Sequence, residues 1–415
     1  MTTSNESKKE PAAVASLIIE ASKHVNKSWQ ELAHLASNWM VAQGLETPIS
    51  QQDLASLAAC MMFTGKPKAP DAGDRDSFFE FIGVKQKPKE DLGAGVAVEI
   101  DGCKGMLRYR LAKDMFDTTL RVPIPTIEWA DQAPHSVPQI NPFYEVTPVF
   151  HDVLTAMAMG FRSWLFGHTG TGKTAAIREI CARCSLPLVR INFDSEMTRA
   201  DLVGKTELLN DGGTTVSRFI EGVLPRALPH VGVVLLDELD FIRPDLAYVM
   251  QAVLEGDELV LTGDNGRRVP VHPQCWIVAA ANTCGQGDDV GLYRGAREQS
   301  AAFLNRFQTF IDFEYMEWPK EAALLERETS LPTHICEKLC LYAKEHREAF
   351  GRREVLTPIS YRQLVTMANR MMFMSRHAGV LPQDGVWEAM ELVVFNAMPA
   401  HERVKMTGIA QRLSI

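Results

Sequence analysis

The chain has 415 residues, of which 46% are hydrophobic and 23% charged, a balance suited to a globular protein with two or three cores. Lys and Arg number 43 against 52 Asp and Glu, a formal charge of -9, which argues against a broad basic surface for gripping nucleic acid; such contact is left to an indirect route or to local pore loops. No apolar run approaches the ~20 residues that span a bilayer, and the polar start MTTSNESKKEP lacks an apolar signal core, so no membrane role and a cytoplasmic location are expected.

Residues 1 to about 12 are polar and expected to be disordered. Over 14–63 apolar residues recur at three- and four-residue spacing, as in Trp29, Leu32, Leu35 and Trp39, which predicts a small helical bundle. The segment 65–76 (GKPKAPDAGDRD) reads as a linker and closes a mainly helical amino-terminal region over 1–75. Runs at 96–100 and 105–111 flank Asp101-Gly102, a hairpin signal, and a proline-spaced stretch follows over 123–148, so 76–147 reads as a small α+β piece with a Pro-rich linker. These first ~145 residues carry no repeat or known motif, and suit an adaptor or assembly role by size alone. From Phe150 to about Phe313 the pattern is strand, glycine loop, helix, strand, which predicts an α/β core over 148–317 with a parallel sheet and helices on both faces. Apolar spacing in Leu324, Leu325, Ile335, Leu339 and Tyr342 then predicts a helical lid over 318–415.

The core carries the chemistry. Gly167-His168-Thr169-Gly170-Thr171-Gly172-Lys173-Thr174 fits the full G-x-x-x-x-G-K-[ST] pattern between a predicted strand (163–166) and helix (175–184). Glycines let the backbone wrap phosphates with its N–H groups inward, and the helix adds a favourable dipole. Lys173 is expected on the β- and γ-phosphates of ATP and the Thr174 hydroxyl on Mg²⁺. A second apolar strand (231–236) ends in Asp237-Glu238: Asp237 to hold the metal's water shell, Glu238 to orient and deprotonate the attacking water. A third strand (275–281) ends in Asn282, a candidate to position that water, with a strand-to-loop cap as the alternative role. Arg306, in Leu304-Asn305-Arg306-Phe307, is poised to complete a neighbour's site as an arginine finger; Arg294 and Arg297 are rivals, and a surface salt bridge is the plainer role. In the lid, Arg362 of Ser360-Tyr361-Arg362 is a candidate γ-phosphate sensor, with Arg352 and Arg353 nearby. Cys181 and Cys184 form a C-x-x-C, and Cys336 and Cys340 lie one helical turn apart. Because the first pair shares an apolar stripe with Ile177 and Ile180, the four read as small buried hydrophobes rather than a zinc site.

From about Pro148 to Tyr315 the chain resembles the AAA+ subunit of aerobic cobaltochelatase within the MoxR-like, dynein-related group. The resemblance rests on Val189 to Ser195 (VRINFDS), Arg199 to Lys205 (RADLVGK), Glu221 to Pro225 (EGVLP), Asp237 to Asp240 (DELD), and Ala281-Asn282-Thr283 through Gly291-Leu292-Tyr293, beyond the phosphate loop itself. It implies a P-loop AAA+ fold and an ATP-hydrolysing homo-oligomeric ring, expected to be a hexamer, with a von Willebrand A domain partner. In the cobalt enzyme the motor drives metal insertion into a corrin. The first ~145 residues depart from that family's amino terminus, and Ser360-Tyr361-Arg362 stands where the family has Ser-Pro-Arg. Hairpin signals at Asn210-Asp211-Gly212-Gly213 and Gly263-Asp264-Asn265-Gly266 resemble the clade's helix-2 insert and pre-sensor-1 hairpin, facing a pore or partner, with Arg267 and Arg268 on the second. Three functions stand open: a MoxR-like remodeller of a protein or nucleoprotein, which the unfamiliar amino terminus favours; a chelatase motor; and a nucleotide-binding scaffold without turnover, which the intact Glu238 disfavours.

Overall fold

A computed structural model describes residues 11–22, 29–42, 50, 53–55, 57–58, 78, 95–212, 214–287, 292–293 and 295–413. They fall into two units, Met1–Ala94 and Gly95–Ile415. In the first, α1 (Pro11–Ser22) and α2 (Trp29–Ala42) bury Val14, Ile18, Leu32, Ala36 and Trp39, and the Trp39 ring lies 5.5 Å from that of Phe78. Helix α1 thus begins inside the stretch expected to be disordered; residues 1–10 and the predicted linker 65–76 lie outside the described residues.

The second unit opens with an antiparallel sheet of β1 (Val96–Ile100), β2 (Cys103–Leu111) and β3 (Pro123–Trp129). Asp101 and Gly102 both have positive φ, 50° and 76°, the backbone that a two-residue type I′ hairpin demands and that Asp-Gly supplies with little strain. There follow α3 (Pro148–Ala158), β4 (Ser163–Phe166), α4 (Lys173–Arg183), β5 (Leu188–Asn192), a hairpin of β6 (Gly204–Asp211) and β7 (Thr214–Glu221), β8 (Gly232–Asp237), α5 (Pro244–Glu255), a second hairpin of β9 (Leu259–Leu261) and β10 (Arg267–Val269), β11 (Cys275–Ala280) and β12 (Thr309–Asp312). Strands β12, β4, β11, β8 and β5 pair in that order, all parallel.

Successive side chains of the central strands go to opposite faces, and both faces are covered. Leu165, Val233, Leu235, Val278 and Ala280 pack with α3 and α4; Trp164, Val234, Leu236, Ile277 and Ala279 pack with α5. This double burial explains why β8 reads as an unbroken apolar run instead of an alternating one. The three-stranded sheet joins the first of these cores: Ile100, Leu107, Ile124 and Ile127 meet Ile177, Ile180 and Cys181 of α4. Its backbone is tied there too, Ile127 N–H donating to the Cys184 carbonyl at 3.1 Å and Trp129 Nε1 to that of Ser185 at 3.0 Å. Residues 95–147, read from sequence as a separate piece and a linker, therefore brace the phosphate-loop helix.

The lid comprises α6 (Trp318–Thr329), α7 (Thr333–Gly351), α8 (Tyr361–Ala378), α9 (Val386–Val393) and α10 (Ala400–Arg412) around Leu339, Tyr342, Leu364, Met367 and Phe395. No described helix is long and apolar enough to cross a membrane. Arg347 of α7 forks onto Glu321 of α6 with two bonds of 2.8 Å, both side chains nearly buried; breaking such a pair from one side leaves a stranded charge. Next to it, His346 is fully buried, and neither ring nitrogen has a partner among the described residues.

Burial, and secondarily the Arg347 charge, push the His346 pKa from 6.5 down to about 4. The unfolded chain therefore takes up this proton first as pH falls, so the stability linked to a neutral His346 is fully present above pH 6.5 and is lost progressively between 6.5 and 4. His346→Leu should remove on the order of 2 kcal/mol of the stability lost between about pH 7.5 and pH 5, read as a smaller difference between unfolding midpoints at those pH values than wild type shows.

Candidate nucleotide site

The phosphate loop leaves β4 at Gly167 and enters α4 at Lys173. Gly172 holds the N-cap with φ 101°, no side chain caps the helix, and a Cβ there would meet nothing within 4 Å. The first amides of α4 are thus uncovered by any capping side chain, as an anion site requires. Gly170 is constrained differently: a Cβ would lie 2.4 Å from that of Ser360, so the loop touches the start of α8 only because this residue is glycine.

Both backbone polar groups of Thr169 are taken by phenols from elsewhere. Its N–H donates to the Tyr293 hydroxyl at 3.3 Å, and its carbonyl accepts from Tyr315 at 2.8 Å. Tyr293 also pairs with His168 Nδ1 at 3.0 Å, and Tyr315 lies under the Arg347 guanidinium, 3.9 Å from ring centre to carbon. Arg347 Nε in turn donates to the Ile359 carbonyl, one residue before Ser360. A continuous set of contacts therefore links the loop after β11, the phosphate loop and the lid.

Lys173 is buried and donates to the Gly167 and His168 carbonyls at 2.5 and 3.1 Å, with Asn282 Oδ1 at 3.5 Å. Burial pushes its pKa down to about 8, against the pull of Glu238, Asp240, Asp237 and Asp312. Asp237 closes β8; its Oδ2 accepts from Arg190 Nε at 2.6 Å and from Thr174 Oγ1 at 3.4 Å. Glu238, the next residue, has φ 55° and ψ 38°, a left-handed conformation uncommon outside glycine and typical of residues held for a task. It accepts from Asn282 Nδ2 at 2.7 Å, and burial, then the charges of Asp240 and Asp237, raise its pKa. Asp240, fully buried, fixes the end of β11 by accepting from the N–H groups of Asn282 and Thr283 at 3.0 and 3.2 Å.

Lys173, Thr174, Asp237, Glu238 and Asn282 line one cleft of about 520 Å³, which Arg362, exposed on the first turn of α8, also borders, while Asp240 lies behind its wall. Arg352 is turned away and paired with Glu354. The donor set suits a magnesium nucleotide: a hydroxyl and a carboxylate are hard oxygen ligands, while no cluster of three or more His, Cys, Asp or Glu among the described residues could hold a metal alone. A metal here would share its shell with phosphate and water. Arg306 does not line this cleft; it pairs with Glu255 of α5 at 2.7 Å and donates to the Ala302 carbonyl. Arg297 is exposed, its N–H bonded to the Asp240 carbonyl at 2.8 Å, and Arg294 lies outside the described residues. Cys181 and Cys184 are buried in the core of the sheet and Cys336 and Cys340 in that of the lid, all with thiol pKa raised by burial.

The two hairpins are pinned together. Thr206 Oγ1 donates to the Gly263 carbonyl at 3.1 Å, and Arg267 bridges Asp264 at 2.6 Å and Glu221. Arg268 pairs with Glu258 at 3.3 Å, so both hairpin arginines are engaged within the chain. Leu208 on β6 is 75% exposed. Sequence reasoning gave no role to Tyr315, Arg347, Asp240 or Arg190; of these only Arg190 left a local signal, a cation inside the strand LVRIN.

Residues 163–307 match the profile of the AAA domain, dynein-related subfamily. The aerobic cobaltochelatase subunit CobS of a Sinorhizobium species is 33% identical over 261 residues, which cover 61% of this chain and 76% of that protein. The chain belongs to the CobS-like, MoxR-group AAA+ ATPases. Protein NorQ of Paracoccus denitrificans is 27% identical over 167 residues, covering 40% of the chain and 57% of NorQ. Protein CbbQ of Hydrogenophilus thermoluteolus is 27% identical over 187 residues, covering 45% of the chain and 66% of CbbQ. In this CobS-like chain the Tyr315 hydroxyl is expected to hold the phosphate loop in shape. Tyr315→Phe keeps the ring under Arg347 and removes one hydrogen bond, so ADP should bind about fivefold more weakly with the melting temperature nearly unchanged, as a fluorescent-ADP titration would show.

Proposed function

We propose that this CobS-like protein hydrolyses ATP as a cytoplasmic ring, a hexamer by its resemblance, and uses the energy to remodel a protein or nucleoprotein partner. The observation that carries the ATPase reading is the Asn282–Glu238 contact of 2.7 Å beside Lys173, which puts a base, its orienting amide and a phosphate-binding cation in one cleft. Lys173 releases the loop carbonyls and neutralises phosphate charge. Thr174 and Asp237 would hold Mg²⁺, which would supply further charge neutralisation when bound. Glu238, positioned by Asn282, takes the proton of the attacking water, and its raised pKa brings it closer to the operating pH of a base. Arg362 senses the γ-phosphate from the lid. The charge that grows on that group in the transition state is met by Arg306 from the neighbouring subunit, freed from Glu255 in the assembled ring.

Lys173→Ala should abolish ATP binding, whereas Glu238→Gln should bind ATP without turning it over; robust hydrolysis by the second would sink the assignment.

The trans arrangement has its own test. Arg306→Ala should lower turnover by a factor on the order of 10³ while leaving ATP binding nearly intact. Mixing it with Glu238→Gln protein should restore partial activity, since some junctions then join an intact Glu238 to an intact Arg306. Mixed rings that stay inactive would turn attention to Arg297 or Arg294.

The CobS match also supports a second reading, a cobaltochelatase motor; a von Willebrand A domain partner is implied by the family resemblance under either reading. Stimulation of turnover by a corrin-binding partner would favour it; stimulation by a protein or nucleoprotein client with no corrin present would favour remodelling.

A further inference from the structure

Arg190 is the one cation in β5, on the strand face it shares with Leu188, and it lies in register with Leu235 of β8. Its long side chain reaches past that register to Asp237 Oδ2 at 2.6 Å, the same oxygen that lies 3.4 Å from the Thr174 hydroxyl. The two partners differ in exposure: the Asp237 side chain is 6% exposed, that of Arg190 50%. The carboxylate is fixed in the wall, while the guanidinium stands at the cleft surface with room to move.

Charge makes this pairing matter. The carboxylates of Asp237, Glu238, Asp240 and Asp312 all act on Lys173, so one buried cation faces four acids in a cleft that receives a polyphosphate. Opposite charges at such short range in a partly desolvated cleft are worth far more than a solvated surface pair. Arg190 also borders this cleft, as does Arg362 from the lid, and of these two it is the one paired with Asp237.

We propose that Arg190 is a resident counter-ion of the metal-binding carboxylate, competing with Mg²⁺ for Asp237 Oδ2 and lending its charge to the phosphates, so that it sets how strongly nucleotide binding depends on the metal. The inference rests on the reading of the cleft as a magnesium-nucleotide site. Two effects follow with opposite signs. Without Arg190, metal-free ATP meets an acidic cleft and binds less well, while Mg²⁺ no longer has to displace a guanidinium and binds better. By linkage both changes widen the gap between ATP affinity with and without Mg²⁺.

The experiment titrates a non-hydrolysable ATP analogue into the full chain in EDTA and in saturating Mg²⁺, for wild type, Arg190→Gln and Arg190→Lys. In EDTA the glutamine variant should bind about tenfold more weakly than wild type, the size of effect expected for one charge-assisted contact. In Mg²⁺ the two should agree within about twofold, so the ratio of affinities grows about fivefold or more. Lysine keeps the charge and should retain most of the metal-free binding. An unchanged ratio in Arg190→Gln, or a lowered melting temperature with the ratio intact, would show that Arg190 only steadies the fold and would overturn the proposal. Failure of wild type to bind the analogue in Mg²⁺ would instead refute the nucleotide-site reading itself.

Discussion

Central strands buried on both faces impose the arrangement of everything around them. Strand β8 is buried along its whole length, so a polar side chain can be carried only where the strand runs out, and Asp237 sits there. The same holds for β11, whose apolar run ends just before Asn282, and for β4, which ends just before the phosphate loop. Because all five strands are parallel, these ends share one edge. Hydrophobic burial along the strands thus concentrates the chemistry without any long-range attraction among the polar groups themselves.

The concentration creates an electrostatic problem that the neighbouring side chains contain. Acids crowded at one edge repel each other, which is why burial and the charges of Asp240 and Asp237 both act to raise the Glu238 pKa. Asp240 is tolerated because two backbone amides and the Thr283 hydroxyl approach one of its oxygens; the other has no partner among the described residues. Lys173, held on loop carbonyls, is kept from collapsing onto any single acid.

Local signals carried far. The phosphate loop, the Asp237-Glu238 strand end, Asn282 and the three hairpins were legible because each depends on residues adjacent in sequence: glycines where the backbone must turn, apolar runs where a strand is buried. What was not legible depends on distant partners. Tyr315 looks like any aromatic residue near a strand end until the fold brings its hydroxyl to Thr169, 146 positions away. The bracing of α4 by β1–β3 was hidden for the same reason, since Ile100 and Ile127 advertise burial but not against what. Arg306 shows the limit from the other side: its sequence context marks it, yet within one chain it lies on Glu255, and its proposed task needs a neighbour.

The bolting of the two hairpins has a consequence for the nucleotide site. Leu208 lies on a hairpin, β6–β7, that is tied to β9–β10 by the Arg267–Glu221 bridge and the Thr206–Gly263 bond. Residues 270–274 run directly into β11, and the far end of that strand is anchored at Asp240 and leads into Asn282. The exposed tip at Leu208 and the amide that touches Glu238 are thus joined by an unbroken run of contacts and chain, which makes them two ends of one continuous piece of the fold.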